Sequence, residues 1–270
     1  MSKERVDVSL VQRGLATSRE QAKRLVMAGL VYSGTDRVDK PGTQIAEDVP
    51  LMVKGALHPY VSRGGLKLEK ALKCFSVSIS GKVVVDVGAS TGGFTDCSLQ
   101  HGALFVYAID VGYGQLAWSL REDARVRVME RVNFRHVEIT RFDPMPSVGV
   151  MDVSFISVKK LFPKLAEILT PDADLLTLIK PQFEAGPTWV GKGGIVRDPD
   201  VHISVINSVI EQAQKLGFIV RGLDFSPIRG GDGNIEFLLW AKKIQSSSED
   251  MHKDMHIEDV VQAAHQSNFS

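Results

Sequence analysis

The fold is decided by the stretch from Val83 to Trp118, VVVDVGASTGGFTDCSLQHGALFVYAIDVGYGQLAW. Its three consecutive valines are typical of a strand that is buried on both faces of a sheet. The small residues Gly88–Gly93 then predict a turn in which a bound molecule can approach the backbone closely. A helix is expected at Phe94–Gln100 and a second apolar strand at Leu104–Ile109. The stretch therefore predicts one strand, turn, helix and strand of a parallel α/β sheet.

The two turns of this unit predict the kind of ligand that it binds. Asp110 ends the second strand, where a parallel sheet can deliver a carboxylate to the hydroxyls of a ribose, so we expect an adenosine-like ligand. Ser90 stands where a dinucleotide-binding loop needs a glycine, and the unit contains no lysine of a nucleoside triphosphate loop. The ligand is therefore not expected to be held by its phosphates. The alternative is a tight turn without any ligand.

The spacing D-x-G-x-x-x-G-G, with an acidic residue downstream, resembles the S-adenosylmethionine loop of Rossmann-like methyltransferases. The resemblance implies that S-adenosylmethionine is the cofactor. The cofactor contacts that it implies are Asp86, Gly88, Ala89, Ser90, Thr91, Gly92, Gly93, Phe94, Asp110 and Asp152.

The length and net charge of the chain limit what can be predicted about its domains and partners. Its 270 residues suffice for one large domain or for two. Lys plus Arg and Asp plus Glu number 32 each, so the overall charge predicts no partner. A nucleic-acid surface must therefore be local to one segment.

The cysteines and the apolar segments bear on the cellular compartment. Cys74 and Cys97 lie within apolar patterns and lack C-x-x-C spacing, so we expect reduced, buried thiols without a catalytic role, rather than a disulfide or a zinc site. No segment has the apolar core of a signal peptide, and none approaches the roughly 18 apolar residues of a spanning helix. We expect a cytoplasmic protein that binds neither a membrane nor a metal.

The amino-terminal segment predicts two short helices around a turn. Gly14 ends the first helix; Ser18 is the expected N-cap of the second, and Gly29 its terminator. From Arg5 to Val31 the chain reads R-x-D-x-x-L-x-x-x-G-L-A-x-S-R-x-x-A-x-x-L-x-x-A-G-x-V, which resembles the S4 RNA-binding domain over residues 1–54. The resemblance implies phosphate contacts from Arg5, Arg19, Lys23 and Arg24. The alternative for these charges is a solvated helix face.

Chemistry-bearing residues recur at the ends of the predicted elements beyond the linker at residues 55–60. The helix in YVSRGGLKLEKALKCF carries Lys67, which either faces solvent or reaches a site. Later strands are expected at 125–129, 148–153 with Asp152, 173–180 with Lys180, 218–225, and 235–242 with Glu236. The last two are expected to form a hairpin. A buried lysine such as Lys180 is costly unless it is paired or functional, although it could instead snorkel to the surface.

The connecting segments carry weaker signals. Helices are expected at 158–169 and 202–216, and the loop at 185–194 exposes Trp189 and Lys192 for a lid or an RNA contact. Residues 245–270 predict a polar tail with a short helix at 257–265. His252 and His256 lack a third ligand, so we expect no metal site there.

The whole chain resembles the TlyA-type ribosomal RNA 2′-O-methyltransferases, which are also named haemolysins, and its second half resembles the FtsJ group. The resemblance implies an α/β fold, in which a Rossmann-like class I methyltransferase domain at residues 61–244, with a mostly parallel seven-stranded sheet, follows a small S4 RNA-binding domain. It implies ribosomal RNA within ribosomal subunits as the partner, a cytidine ribose as the methyl acceptor, and an RNA contact from Arg63. The implied catalytic residues are Lys67, Asp152, Lys180 and Glu236.

The chemistry of the reaction suggests how these four residues divide the work. Methyl transfer to a ribose hydroxyl needs the acceptor aligned with the methyl group, and it needs assistance in losing the hydroxyl proton. Neutral Lys180 is the expected base, Asp152 positions it, and Lys67 and Glu236 orient the ribose. The alternatives are a non-enzymatic S4 RNA-binding protein, a pore-forming haemolysin and an NAD-dependent oxidoreductase.

Overall fold

The computed structural model describes residues 3–54, 58–231, 233–244 and 255–269. The chain divides into two compact units, residues 1–59 and residues 60–270.

The first unit packs two helices against short strands around a small apolar core. Strand β1 (Lys3–Arg5) pairs antiparallel with β4 (Gln44–Ala46), and β2 (Val31–Ser33) lies between β3 (Asp36–Arg37) and β5 (Leu51–Val53) in a second sheet. Val6, Leu10 and Val26 are almost fully buried between these elements. The elements are β1 (Lys3–Arg5), α1 (Val6–Gln12), α2 (Arg19–Met27), β2 (Val31–Ser33), β3 (Asp36–Arg37), β4 (Gln44–Ala46) and β5 (Leu51–Val53).

The helix boundaries in this unit follow their capping residues. The Ser18 hydroxyl accepts a hydrogen bond from the Gln21 amide at 3.1 Å, which confirms the predicted N-cap of α2. The Gln21 side chain accepts from the Thr17 amide at 2.5 Å, one residue before the reciprocal partner of a standard capping box. Gly14 and Gly29 follow the two helices at positive φ, as predicted.

The second unit is built on a seven-stranded sheet of order β11-β12-β10-β9-β6-β7-β8. Strands β8, β7, β6, β9 and β10 run parallel, and β12 runs antiparallel to both of its neighbours. This confirms the predicted mostly parallel sheet and its terminal hairpin. The elements are α3 (Gly64–Cys74), β6 (Val83–Val87), α4 (Gly93–Gln100), β7 (Phe105–Ile109), α5 (Trp118–Arg121), β8 (Val126–Met129), β9 (Val148–Met151), α6 (Phe162–Ile168), β10 (Asp174–Ile179), α7 (Pro181–Glu184), α8 (Pro199–Lys215), β11 (Phe218–Phe225), β12 (Phe237–Lys243) and α9 (Ile257–Gln266).

Both faces of the sheet are covered, which explains why the central strands are apolar without alternation. Val83, Val85 and Val87 pack into a core with residues of α6 and α8. Val84 faces the other way, into a core with residues of α3 and α4.

Several predicted boundaries are wrong at the strand and helix ends. Asp152 follows β9, Lys180 follows β10 and Glu236 precedes β12, so none of the three lies within its strand. The carbonyl oxygen of Glu236 accepts from the Ser226 amide, in register with the adjacent Phe225–Phe237 pair. The helix expected at 158–169 is a 3₁₀ turn followed by α6, because the Ser157 hydroxyl caps the turn and Pro163 restarts the helix.

The cysteines and the carboxyl-terminal helix test two further expectations. Cys74 is exposed rather than buried, because the apolar stripe of α3 runs through Leu68 and Leu72 and leaves Cys74 beside it, whereas Cys97 is buried as expected. The helix predicted at 257–265 is present as α9, and its Val261 and Ala264 enter the core of the second unit. His252 of the histidine pair lies outside the described residues.

Candidate functional site

The predicted site residues converge at one edge of the sheet. Gly88, Asp110, Asp152 and Lys180 directly follow β6, β7, β9 and β10, whose carboxyl ends share that edge. Strand β12 runs the opposite way, and its Phe237 pairs with Ile179. The residue before β12, Glu236, therefore reaches the same edge.

Four charged side chains meet there in one ion-pair cluster. Nζ of Lys180 lies 2.6 Å from Oδ1 of Asp152, and Nζ of Lys67 lies 3.2 Å from Oδ2 of the same carboxylate. Lys67 also lies 2.6 Å from Oε2 of Glu236. The structure thus brings together the four residues predicted as catalytic, with Asp152 between the two lysines.

Burial and charge oppose each other in this cluster. Burial lowers the pKa of Lys67, but the carboxylates of Asp152 and Glu236 outweigh that effect and raise it. Burial raises the pKa of Asp152, but Lys67 and Lys180 outweigh it and hold the pKa below its usual value. The cluster therefore keeps Lys67 as a cation and Asp152 as an anion at neutral pH.

Glycines allow α3 to bring Lys67 to this edge. A Cβ on Gly65 would lie 2.3 Å from the Tyr60 ring, and a Cβ on Gly93 would lie 2.8 Å from the amide nitrogen of Gly65. Side chains at these positions would push the start of α3 away from the start of α4. Gly65 and Gly93 thus allow the close packing that sets the position from which Lys67 reaches Asp152.

Two residues of the site were missed by sequence reasoning. Lys180 donates to the Ser154 hydroxyl at 3.0 Å, so Asp152 and Ser154 together fix the position of its Nζ. Glu184 accepts from the Ser157 hydroxyl and the Val158 amide, both at 2.7 Å, and so ties the loop after β9 to α7. The DVSFIS sequence holds the signal for Ser154, because its hydroxyl stands two residues after Asp152.

Two adjoining cavities open at the edge. The first, of about 320 Å³, contains the two lysines, and the second, of about 400 Å³, lies beside Asp110. Both are lined by Gly88, Ser90, Asp152 and Ser154. The first is also lined by Arg63, Ala89, Thr91, Gly93 and Phe94 from the predicted sets.

The second cavity suits a ribose that is joined to a flat apolar ring. Asp110 accepts from the amides of Ser90 at 2.8 Å and Gly112 at 2.7 Å, which leaves further carboxylate lone pairs for hydroxyl groups. Val111 and Phe134 supply apolar walls, and no lysine or arginine of the described chain lines the cavity. Neither wall residue was predicted, because Val111 lies in a loop and Phe134 in a short 3₁₀ turn, and neither segment has a periodic pattern.

Asp86 and Gly92 line neither cavity. Asp86 is fully buried, and its Oδ2 accepts from the Thr95 hydroxyl at 2.6 Å. Burial raises the pKa of this carboxyl to about 7. Gly92 is the N-cap of α4, at φ 97°. Asp86 and Gly92 therefore support the loop at residues 88–93 without lining either cavity.

In the first unit, the residues of the predicted RNA surface have different environments. Arg5 and Arg19 donate to the fully buried Asp7 at 2.9 and 3.0 Å. The hydrogen bond from Arg5 holds the pKa of Asp7 down, at about 2. Lys23 and Arg24 lie exposed on α2. The two arginines therefore stabilise the fold, while the other two cations face solvent.

Metal and membrane features were sought over the described ranges. No group of three His, Cys, Asp or Glu side chains in residues 3–54, 58–231, 233–244 and 255–269 could hold a metal ion. Across the same ranges, no helix combines the length and the apolar character that crossing a bilayer requires.

Comparison with known proteins places this site in a family. The model described as FtsJ-like methyltransferase matches residues 60–243, and that described as S4 domain matches residues 4–49. YqxC of Bacillus subtilis is 56% identical over 267 residues, 97% of this chain and 94% of that protein. The 16S/23S rRNA (cytidine-2′-O)-methyltransferase TlyA of Mycobacterium tuberculosis is 44% identical over 239 residues, 88% of this chain and 89% of that protein.

A solved structure extends the likeness to the whole chain. It is a Streptococcus thermophilus protein called a hemolysin, which is 51% identical, with a TM-score of 0.77 over 98% of this chain and 96% of that chain. The methyltransferase match alone spans more than half of this chain. The chain therefore belongs to the FtsJ-like methyltransferase family and carries an S4 domain ahead of the catalytic fold.

Proposed function

We propose that the chain is an S-adenosylmethionine-dependent methyltransferase that modifies the 2′-hydroxyl of a cytidine in ribosomal RNA. The observation that carries the proposal is the cluster of Lys67, Asp152, Lys180 and Glu236 beside a two-part cavity. The name of the M. tuberculosis relative, which specifies cytidine-2′-O methylation of 16S and 23S rRNA, supports the choice of substrate.

The second cavity fits S-adenosylmethionine. The carboxylate of Asp110 can accept hydrogen bonds from a ribose diol, and the walls formed by Val111 and Phe134 can hold an adenine. The absence of basic residues from the described lining agrees with a ligand that has no phosphate. When bound, the cofactor supplies a methyl group on a sulfonium centre.

The first cavity would hold the acceptor ribose. Lys180, in its neutral form, accepts the proton of the 2′-hydroxyl at Nζ, while Asp152 and Ser154 keep that nitrogen in place. Lys67 remains protonated between Asp152 and Glu236 and is the cation that the two carboxylates share. The exposed ring of Phe155, which borders the second cavity, gives the target base a stacking surface.

The test is methyl transfer to separated ribosomal subunits. The purified chain is incubated with radiolabelled S-adenosylmethionine and small subunits, large subunits or bare rRNA, and modified riboses are mapped as sites that resist alkaline cleavage. We expect label at a cytidine ribose and none with Asp152→Asn. Binding of RNA without any incorporation would instead indicate a non-enzymatic S4 protein, and leakage of dye from liposomes would favour a pore-forming haemolysin.

A further inference from the structure

Arg229 lines the first cavity and lies in the turn between β11 and β12. It lines the first cavity together with Arg63, Lys67 and Lys180. It also lines, again with Arg63, a neighbouring cavity of about 480 Å³ that contains Phe269. The two arginines thus border a continuous path that leads away from the cluster.

The turn that carries Arg229 is held against the catalytic cluster. The Gly230 amide donates to the Asn234 carbonyl at 2.9 Å, and the Asn234 side chain bonds to the backbone of Gly194 and Val196 at 2.9 and 3.0 Å. A Cβ on Gly230 would lie 2.5 Å from Oε1 of Glu236. The backbone of Gly230 therefore lies close against a carboxylate of the cluster.

The guanidinium of Arg229 is held in place on two sides. Its Nη1 donates to the Gly233 carbonyl at 3.0 Å, and its Cζ lies 4.6 Å from the centre of the Phe269 ring. Phe269 packs edge-on against Phe225, with ring centres 6.0 Å apart. An arginine that is ordered before binding loses less conformational entropy when it captures a ligand.

Charge indicates which ligand Arg63 and Arg229 would take. Lys67 and Lys180 are in contact with the carboxylates of the cluster, whereas Arg63 and Arg229 form no ion pair within the described chain and are exposed. A guanidinium with free N–H groups matches the oxygens of a phosphate diester. An RNA strand whose ribose enters the first cavity brings the phosphates that flank this ribose to the mouth of the cavity, which Arg63 and Arg229 line.

We propose that Arg229 binds a backbone phosphate of the RNA strand next to the target ribose, with Arg63 beside it, and that Phe269 positions the Arg229 guanidinium. The proposal rests on the proposed function, since it assigns part of the RNA path of that enzyme. It gives α9 a role in substrate binding, because Phe269, which follows this helix, supplies the ring against which the Arg229 guanidinium packs.

The test compares Arg229→Gln, Arg229→Lys and Phe269→Ala in the full chain, with Arg141→Ala as control, since Arg141 is exposed and lines neither cavity. Arg229→Gln should raise the KM for the RNA substrate about tenfold, leave S-adenosylmethionine affinity unchanged, and reduce the salt slope of RNA binding by about one contact. Arg229→Lys should keep the slope and recover part of the KM. Phe269→Ala should raise the KM without changing the slope, because the charge remains.

The outcomes separate this proposal from the function on which it rests. If the wild type methylates RNA and Arg229→Gln retains its KM and salt slope, the phosphate contact is refuted and the enzyme assignment stands. If Arg229→Gln lowers kcat alone, Arg229 acts on the cluster through the Gly230 turn, and the contact is again refuted. If the wild type does not methylate RNA, the proposed function fails first. Thermal unfolding of each variant verifies that it is folded.

Discussion

Asp152 holds Lys180 through Oδ1 at 2.6 Å, and its Oδ2 faces Lys67 at 3.2 Å. One carboxylate thus serves two lysines, and the second lysine has a further partner in Glu236. Lys67 thus has two carboxylate partners, whereas Lys180 has one. This difference supports Lys180, rather than Lys67, as the base in the proposed function.

Lys180→Ala is expected to abolish methyl transfer and to leave S-adenosylmethionine and RNA affinities close to wild type. The reason is that the lysine is proposed to stabilise the transition state, in which the hydroxyl loses its proton. It is not proposed to stabilise the bound ground state of the cofactor or of the RNA. Lys180→Arg should be nearly as inactive, because a guanidinium stays protonated at any working pH. Single-turnover rates with radiolabelled cofactor on ribosomal subunits measure both variants. An arginine variant that kept most of the wild-type rate would limit Lys180 to a charge and orientation role.

Asp110→Ala is expected to weaken S-adenosylmethionine binding by about 1–3 kcal/mol, because hydroxyl groups of the ribose would lose their acceptor. The loop would also lose the hydrogen bonds from the amides of Ser90 and Gly112. Isothermal calorimetry measures the affinity, and Glu122→Ala, an exposed carboxylate that lines neither cavity, is the matched control. Equal affinities for wild type and Asp110→Ala would place the cofactor elsewhere.

The position of the candidate site at the carboxyl ends of the parallel strands could be predicted from the sequence. Gly88, Asp110 and Lys180 each follow an apolar run, and the carboxyl ends of parallel strands converge at one edge of the sheet. Glu236 was misplaced into its strand, which begins one residue later at Phe237, because an apolar pattern does not fix a strand end to a single residue. Ser154 was missed because its role depends on where Lys180 lies in space.

The partners of the charged side chains on helices could not be predicted from the sequence. Arg19 and Lys23 both belong to a basic pattern on α2, yet only Arg19 reaches the buried Asp7 of α1. That contact depends on the packing of two helices, which a one-dimensional charge pattern does not contain.

Asp86→Asn is expected to stabilise the second unit at high pH. The pKa of Asp86 is raised to about 7, so the stability tied to its protonated form is present below about pH 4 and is lost as the pH rises through 7. An asparagine keeps an acceptor for Thr95 and cannot ionise. Thermal unfolding at pH 5 and pH 8 should show the variant gaining over wild type at the higher pH. An equal gain at both pH values would contradict the raised pKa.

The same variant also tests the role of Asp86 in cofactor binding. Because Asp86 lines neither cavity, Asp86→Asn should bind S-adenosylmethionine about as well as wild type at pH 6. Calorimetry that showed a tenfold loss would assign Asp86 a direct contact with the cofactor.

Lys23 and Arg24 are expected to carry the RNA affinity of the S4 domain. Both are exposed, so replacing the two with alanine should flatten the salt dependence of RNA binding by about two phosphate contacts while leaving the fold intact. Arg19→Ala should both weaken binding and destabilise the unit, because Asp7 would lose a partner. Filter binding of ribosomal RNA between about 50 and 200 mM salt measures the slope. An unchanged slope in the double variant would show that α2 is a solvated face.

The first unit is expected to lose stability in acid through Asp7. Its pKa is held at about 2, mainly by the hydrogen bond from Arg5, against an ordinary value of 3.8. A lowered pKa contributes stability that is present above pH 4, about 2 kcal/mol here, and that is lost as the pH falls towards 2. Hydrogen exchange of peptides from residues 3–54, corrected for the intrinsic pH dependence, should show protection falling over this interval in the full chain.

Asp7→Asn separates this carboxylate from the general effect of acid. The variant should exchange faster than wild type at pH 6, because Arg5 and Arg19 lose their anionic partner, and its protection should change less between pH 4 and 2. Asp39→Asn is the matched control, since the Arg37–Asp39 pair is exposed on both sides and such pairs contribute little. If Asp7→Asn retained the full acid dependence of wild type, another group would have to titrate in this unit, and the ion pairs of Asp7 would not set its acid limit.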